Sequence, residues 1–188
     1  GLYLLKEGST EGLGDGAPRV QLLGSGVGVP WALEAQQLLA DDFGVAADVW
    51  SVTSWTELRR DGMACDDAAF LHPGEYEQPP VPYVTQQLAS APGPVVAVSD
   101  YMRAVQDQIR PWVPGDFVSL GADGFGFSDT RAAARRFFHI DGPSIAVRTL
   151  QALAARGDVD PSIARQAAEK YRLLDVTAGS SGNSGGDA

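Results

Sequence analysis

The chain is short of the side chains on which most enzyme chemistry depends. Cys65 is its only cysteine, and His72 and His139 are its only histidines. A single cysteine excludes an internal disulfide and suits a reducing cytoplasm. With two histidines beside it, no recognised zinc-ligand spacing can be assembled. Positive charge is scarce as well: 14 Lys and Arg stand against 24 Asp and Glu, a formal net charge of -10. The only basic clusters are Arg59, Arg60, Arg131, Arg135 and Arg136, so the broad positive field that attracts a phosphate backbone is missing, which argues against nucleic acid as a partner. No apolar run approaches membrane-spanning length, and the N-terminus lacks the basic flank and apolar stretch of a signal peptide. These absences predict a soluble cytoplasmic protein with no membrane partner. The first residues, Gly1, Leu2, Tyr3, Leu4 and Leu5, enter a strand-like pattern at once without an initiator Met, which reads as the continuation of a longer polypeptide.

What is present is a core. Of the 188 residues, 44% are hydrophobic, enough for one globular domain. Residues 20–26 read as a buried strand, followed by a helix from about Pro30 to Phe43 with Gly44 as its stop and Trp31, Ala35, Leu38 and Leu39 on one face. A second strand spans residues 47–52. Ser54 and Glu57 then have the spacing of a capping box for a helix running to about Cys65. A short helix starts near Pro82, a strand covers 95–99, and a helix follows with Met102, Val105 and Ile109 on its buried side and Pro111 and Pro114 ending it. A fourth strand occupies 117–121, and Ser128 or Asp129 caps a helix to Phe138. Residues 144–150 fit both periodicities. Asp141 as N-cap and Gly157 as stop decide for helix, and Asp160 and Pro161 open a last helix. Four strands alternating with helices predict a mainly parallel sheet covered on both faces. The Gly-rich connection 8–18 and the Gly/Ser-rich stretch 177–188 are the expected flexible loop and disordered tail, leaving residues 1–176 as the domain.

Two segments, Asp48 to Gly62 and Val118 to Arg131, each carry an apolar strand through a small-residue turn into a capped helix, where an α/β fold gathers polar groups. At an earlier turn, Gly24 and Gly26 match the start of a GxGxxG fingerprint, but the third position is Val29 and the following strand ends without a carboxylate. Glycines permitting a tight turn are the favoured reading there, with an anion drawn by the helix amides as the alternative. Within the later segment, Asp123 through Asp129 is the densest unusual cluster. A buried aromatic loop closed by a helix cap is favoured over ligand binding. Arg131 and Arg135, one turn apart, suit a solvated or interface face. Gly14, Asp15 and Gly16 imitate the diphosphate–metal motif of thiamine enzymes, but the only Asn, Asn183, lies in the tail. No Ser/His/Asp relay is visible, since Ser25 is not in a GxSxG elbow.

Taken together, the strings at 20–26 (VQLLGSG), 48–62 (DVWSVTSWTELRRDG), 81–88 (VPYVTQQL), 98–114 (VSDYMRAVQDQIRPWVP) and 120–131 (LGADGFGFSDTR) resemble the C-terminal domain of homodimeric bacterial pyruvate dehydrogenases, in the transketolase superfamily. The likeness covers Gly1 to about Val176. It implies a three-layer α/β/α transketolase C-terminal-like domain around a five-stranded mixed sheet whose first strand, residues 2–6, runs antiparallel beside the strand at 47–52. Sequence alone would instead pair residues 2–6 as a hairpin with residues 20–26.

The resemblance also implies that the parent uses thiamine diphosphate and magnesium, held by preceding domains, to decarboxylate pyruvate and acetylate the lipoyl group of the acetyltransferase component. No catalytic, cofactor-binding or metal-binding residue carries over onto these positions. The expected partners are the preceding domains, a second subunit of a homodimer and the lipoyl acetyltransferase. The candidate interface or anion crevice comprises Gly24, Ser25, Gly26, Asp123, Phe125, Gly126, Phe127, Ser128, Asp129 and Arg131. The alternatives are a module binding a small anionic regulator and the corresponding domain of a transketolase or 2-oxoglutarate dehydrogenase.

Overall fold

Runs of small and β-branched residues build the centre of the sheet in the computed structural model, which describes residues 1–14 and 16–180. Strands β1 (Leu2–Lys6), β2 (Arg19–Gly24), β3 (Ala46–Val52), β4 (Val95–Val98) and β5 (Phe117–Leu120) stand in the order β1-β3-β2-β4-β5. The last four are parallel, and β1 pairs antiparallel with β3, Leu2 opposite Val52 and Leu4 opposite Trp50. The hairpin of β1 with β2 is therefore corrected: β1 closes the far side of β3, which the long 8–18 connection allows. Its start is fixed, because Asp48 accepts from the Gly8 amide at 2.9 Å and pairs with Arg19, whose guanidinium donates to the Gly8 carbonyl at 3.0 Å.

Alternation along the strands sends side chains to two cores. Val20, Leu22, Ala47, Val49, Val96 and Val98 face α1 (Gly28–Phe43) and α6 (Gly142–Arg156), with α7 (Ser162–Lys170) behind them. Leu23, Trp50, Val52, Val95 and Ala97 face α2 (Trp55–Leu71), α3 (Tyr83–Leu88) and the segment around α4 (Arg103–Asp107). A parallel strand covered on both sides has no polar face, hence the near-continuous apolar reading of β2 and β4. Helix α1 ends in Gly44 at φ 64° and α6 in Gly157 at φ 81°, the left-handed stops expected of them.

Several boundaries differ from the sequence reading. Helix α2 continues past Cys65 to Leu71, because Asp66, Asp67, Ala68 and Ala69 contain no breaker. Met102 is 57% exposed as the residue before α4, and only Ile109 of the three residues assigned to a buried side is fully enclosed. Helix α4 ends at Asp107, while Pro111 lies inside a separate 3-10 turn, Arg110–Trp112. The cap of α5 (Arg131–Phe137) is Thr130, whose Oγ1 accepts from the Ala133 amide at 3.2 Å; Asp129 instead accepts from the Thr130 amide. The capping box is half formed. Ser54 accepts from the Glu57 amide at 3.1 Å, but the Ser54 amide donates to the Gly1 carbonyl and the Glu57 carboxylate turns to Arg60. Residues 177–180, grouped with the tail by composition, belong to a 3-10 turn, Val176–Ser180, against α5. The remaining tail, with Asn183, and Asp15 lie outside the described residues.

Candidate functional site at the carboxyl ends of the strands

The turn from β2 into α1 is packed as tightly as its sequence is small. Gly26 adopts φ 53°, and the Gly28 and Val29 amides donate to the Ser25 and Gly26 carbonyls at 2.9 and 3.2 Å. A Cβ on Gly28 would lie 2.8 Å from the Val98 carbonyl oxygen, so β4 can pass here only a glycine. Ser25 is buried, its Oγ receiving the Trp55 indole N–H at 2.9 Å and bonding Ser99 Oγ at 2.9 Å. This hydroxyl pair lies beneath a crevice of about 590 Å³ walled by Thr53, Ser54, Thr56, Asp100 and Tyr101. Asp100 is the only formal charge in that wall, and a carboxylate beside a helix N-terminus whose first amides are already engaged opposes an anion there.

The turn after β5 begins equally tightly and then opens. A Cβ on Gly121 would meet the Tyr101 carbonyl at 2.5 Å. Asp123 accepts from the Arg103 amide at 2.9 Å and pairs with its guanidinium, which holds the carboxyl below the usual aspartate range and raises Arg103 in return. Beyond Gly124 at φ 92° the loop leaves the protein surface, and Phe125 is 96% exposed. Gly126, Ser128, Asp129 and Arg131 are exposed as well, while Phe127 folds back to stack on Phe137 at 4.3 Å. The buried aromatic loop is thus corrected. Set between Gly124 and Gly126, Phe125 is left to solvent.

The residues grouped by sequence into one candidate site are therefore divided. Gly24, Ser25 and Gly26 belong to the first turn, with Ser25 and Gly26 lining its crevice. Asp123 lines a second crevice of about 480 Å³ beside β5; Phe125, Gly126, Ser128 and Asp129 lie in the projecting loop, Phe127 folds back from it, and Arg131 opens α5. Strand β4 lies between β2 and β5.

Sequence reasoning missed what fixes the helix behind that loop. Arg136, counted among a basic cluster, is 3% exposed. Its Nε donates to Asp141 Oδ2 at 2.6 Å, and its Nη1 donates to the Tyr171 and Arg172 carbonyls at 2.9 and 3.2 Å. Asp141 also caps α6, accepting from the Ser144 amide at 3.1 Å. Its carboxylate adds to burial, the larger cause, in raising the pKa of neighbouring Glu34. Arg135 is half-buried over the Trp31 ring at 5.2 Å and so does not join Arg131 in a solvated face. The usable signal was Asp141 itself: a cap at the start of an apolar helix sits near the core, and a buried carboxylate requires a cation within reach.

Among the described residues no three His, Cys, Asp or Glu side chains converge on a metal-sized space. Burial pushes the Cys65 thiol up, away from thiolate reactivity. His72 pairs with Glu75 in an exposed loop, and no described helix is long and apolar enough to cross a membrane.

The family model for the transketolase-like TK C-terminal domain matches residues 1–141. The chain is 56% identical over 178 residues to the "Pyruvate dehydrogenase E1 component" of Mycolicibacterium smegmatis, covering 95% of this chain and 18% of that protein. It is 51% identical over 178 residues to the protein of that name from Corynebacterium glutamicum, again 95% and 18%. With the Escherichia coli protein the identity is 44% over 156 residues, 82% of this chain and 17% of the relative. The chain thus spans less than a fifth of the length of each of these relatives. In solved structures it resembles a split-gene transketolase, described as an inactive β4 tetramer, with TM-score 0.52 and 19% identity, covering 82% of this chain and 42% of the other. That likeness extends to the fold alone: a five-stranded mixed sheet with the first strand antiparallel. On the strength of the family match and of these relatives, the chain belongs to the transketolase-like C-terminal domain family, as the C-terminal region of pyruvate dehydrogenase E1 components does.

Proposed function

We propose that the chain is the noncatalytic C-terminal domain of a cytoplasmic, thiamine diphosphate-dependent pyruvate dehydrogenase of the acetyl-transferring type. The observation that carries this reading is the 56% identity sustained over 95% of the chain to a protein of that name. Transketolase as the parent is disfavoured because those likenesses stand near 20% identity, where the sheet is shared and little else. The described residues offer no cluster fit for a magnesium-bound diphosphate, so no reaction step is assigned to them. Thiamine diphosphate, magnesium and pyruvate belong, in this reading, to the preceding domains. Those domains would pass the acetyl group to the lipoyl arm of the acetyltransferase.

The domain's own contribution is then mechanical. Its loop at 123–131 presents Phe125 beside Asp129 and Arg131, the mixture of aromatic and charged side chains found at interfaces. In the parent this loop supports assembly of the homodimer or contact with neighbouring domains. The sharpest test is calorimetric titration of the isolated chain with thiamine diphosphate and magnesium, together with a pyruvate decarboxylation assay. No binding and no turnover are expected. Micromolar, saturable cofactor binding would contradict the assignment.

A further inference from the structure

Arginine side chains in this protein have partners wherever they are enclosed, with one exception. Arg136 holds Asp141, Arg19 holds Asp48, and Arg135 lies on Trp31. Arg148 of α6 is half-buried, yet among the described residues it forms no ion pair, and its Nε is shut off from solvent with no hydrogen-bond acceptor. Its one polar contact is a long one, Nη1 to Gln151 Oε1 at 3.3 Å. A buried guanidinium N–H without an acceptor is costly, because it has given up water and gained nothing in return. The outer end of the guanidinium, where Nη1 makes only that long exposed contact, is the part that lines a crevice and can take an acceptor.

The place where such an acceptor would arrive is the crevice beside β5, which Arg148 lines together with Phe137, Phe138 and His139. The acidic side chain that lines the crevice, Asp123, is already engaged by Arg103. His139 holds a left-handed backbone at φ 56°, which histidine adopts more readily than most residues, and adds an imidazole to the crevice. Phe137 and Phe138 pack edge to face at 5.1 Å and supply an apolar wall. The crevice after β2 differs, its wall holding the Asp100 carboxylate and no cation.

We infer that the crevice beside β5 binds a small organic carboxylate, the anionic group pairing with the Arg148 guanidinium and the apolar body lying on Phe137 and Phe138. Guanidinium and carboxylate are matched in shape as well as charge, which allows two parallel hydrogen bonds. This site is independent of the parent's identity, and its failure leaves the family assignment untouched.

Benzoate combines the two required parts and serves as the probe. Titrated into the chain, it should saturate and shift the Arg148 Nε–H signal in side-chain nitrogen NMR spectra. Acetate, lacking the ring, and inorganic phosphate, lacking the apolar body, should each bind about tenfold more weakly. Arg148→Met should abolish the response, and Arg148→Lys, which keeps the charge without the fork, should weaken it while preserving the fold. His139→Gln should weaken it a few-fold. Arg165→Gln, on the exposed side of α7, should leave it unchanged. An unshifted Arg148 signal at saturating benzoate would overturn the proposal, as would equal binding by the folded Lys variant or phosphate binding as tight as benzoate.

Discussion

The turns after β2 and β5 share one sequence grammar, strand, glycine-rich turn, helix, and they are physical opposites. In the first, glycine is required by crowding: the Gly28 Cβ position is occupied by the backbone of β4, and Ser25 is held between Trp55 and Ser99. In the second, glycine supplies freedom: nothing lies within 4 Å of a Cβ built on Gly124 or Gly126, and Phe125 between them is exposed. A glycine in a sequence does not say which of these it is. The difference is set by neighbours far away in the chain, Val98 and Ser99 for one turn and open solvent for the other. The first turn holds the sheet together, and the second is available for contact.

The comparison can be broken most severely at the base of the second loop. The loop projects, but the helix after it is fixed through Arg136. Arg136→Met should cost about 3 to 5 kcal/mol in chemical denaturation, since it strands the buried Asp141 carboxylate and frees the Tyr171 and Arg172 carbonyls. A cost below about 1 kcal/mol would show that α5 is not held through this pair.

Next in size is the glycine contrast itself. Gly28→Ala must push against the Val98 carbonyl and should destabilise by about 1 to 3 kcal/mol. Gly126→Ala meets nothing and should be neutral or slightly stabilising, within about 1 kcal/mol. Equal melting midpoints for the two variants would erase the distinction.

A smaller effect separates the two members of the expected capping box. Ser54→Ala removes a formed bond to the Glu57 amide and should cost about 1 kcal/mol. Glu57→Ala loses only an exposed contact to Arg60 and should change the denaturation midpoint by a few tenths of a kcal/mol. A larger loss for Glu57 than for Ser54 would restore the reciprocal box.

Much of the fold was legible from local pattern: the buried strands, α1 with its Gly44 stop, and α6 between Asp141 and Gly157. What could not be read locally depended on pairing at long range. Leu2–Lys6 has the same apolar character whether it joins β2 or β3, and only the resemblance placed it correctly beside β3. The candidate residues were legible as lying at the carboxyl ends of strands, while the loop after β5 was misread as buried. Phe125 was assigned to a buried aromatic loop because phenylalanine usually belongs inside, whereas Arg136 was counted in a basic cluster for the corresponding reason. Each was decided by surroundings the sequence does not display: solvent beyond Gly124 for the one, and Asp141 at the start of α6 for the other.

The central proposal, that the second loop serves assembly and not chemistry, is tested most directly by Phe125→Ala in the proposed full-length pyruvate dehydrogenase. The isolated domain should lose less than about 0.5 kcal/mol of stability, because the ring touches little of its own chain. Sedimentation velocity and pyruvate turnover should then be measured across a range of protein concentrations. The account predicts a shift toward monomer, with activity lost at low concentration and recovered as concentration rises. An enzyme that remains dimeric throughout and is impaired at every concentration would contradict it and place the loop at the active site.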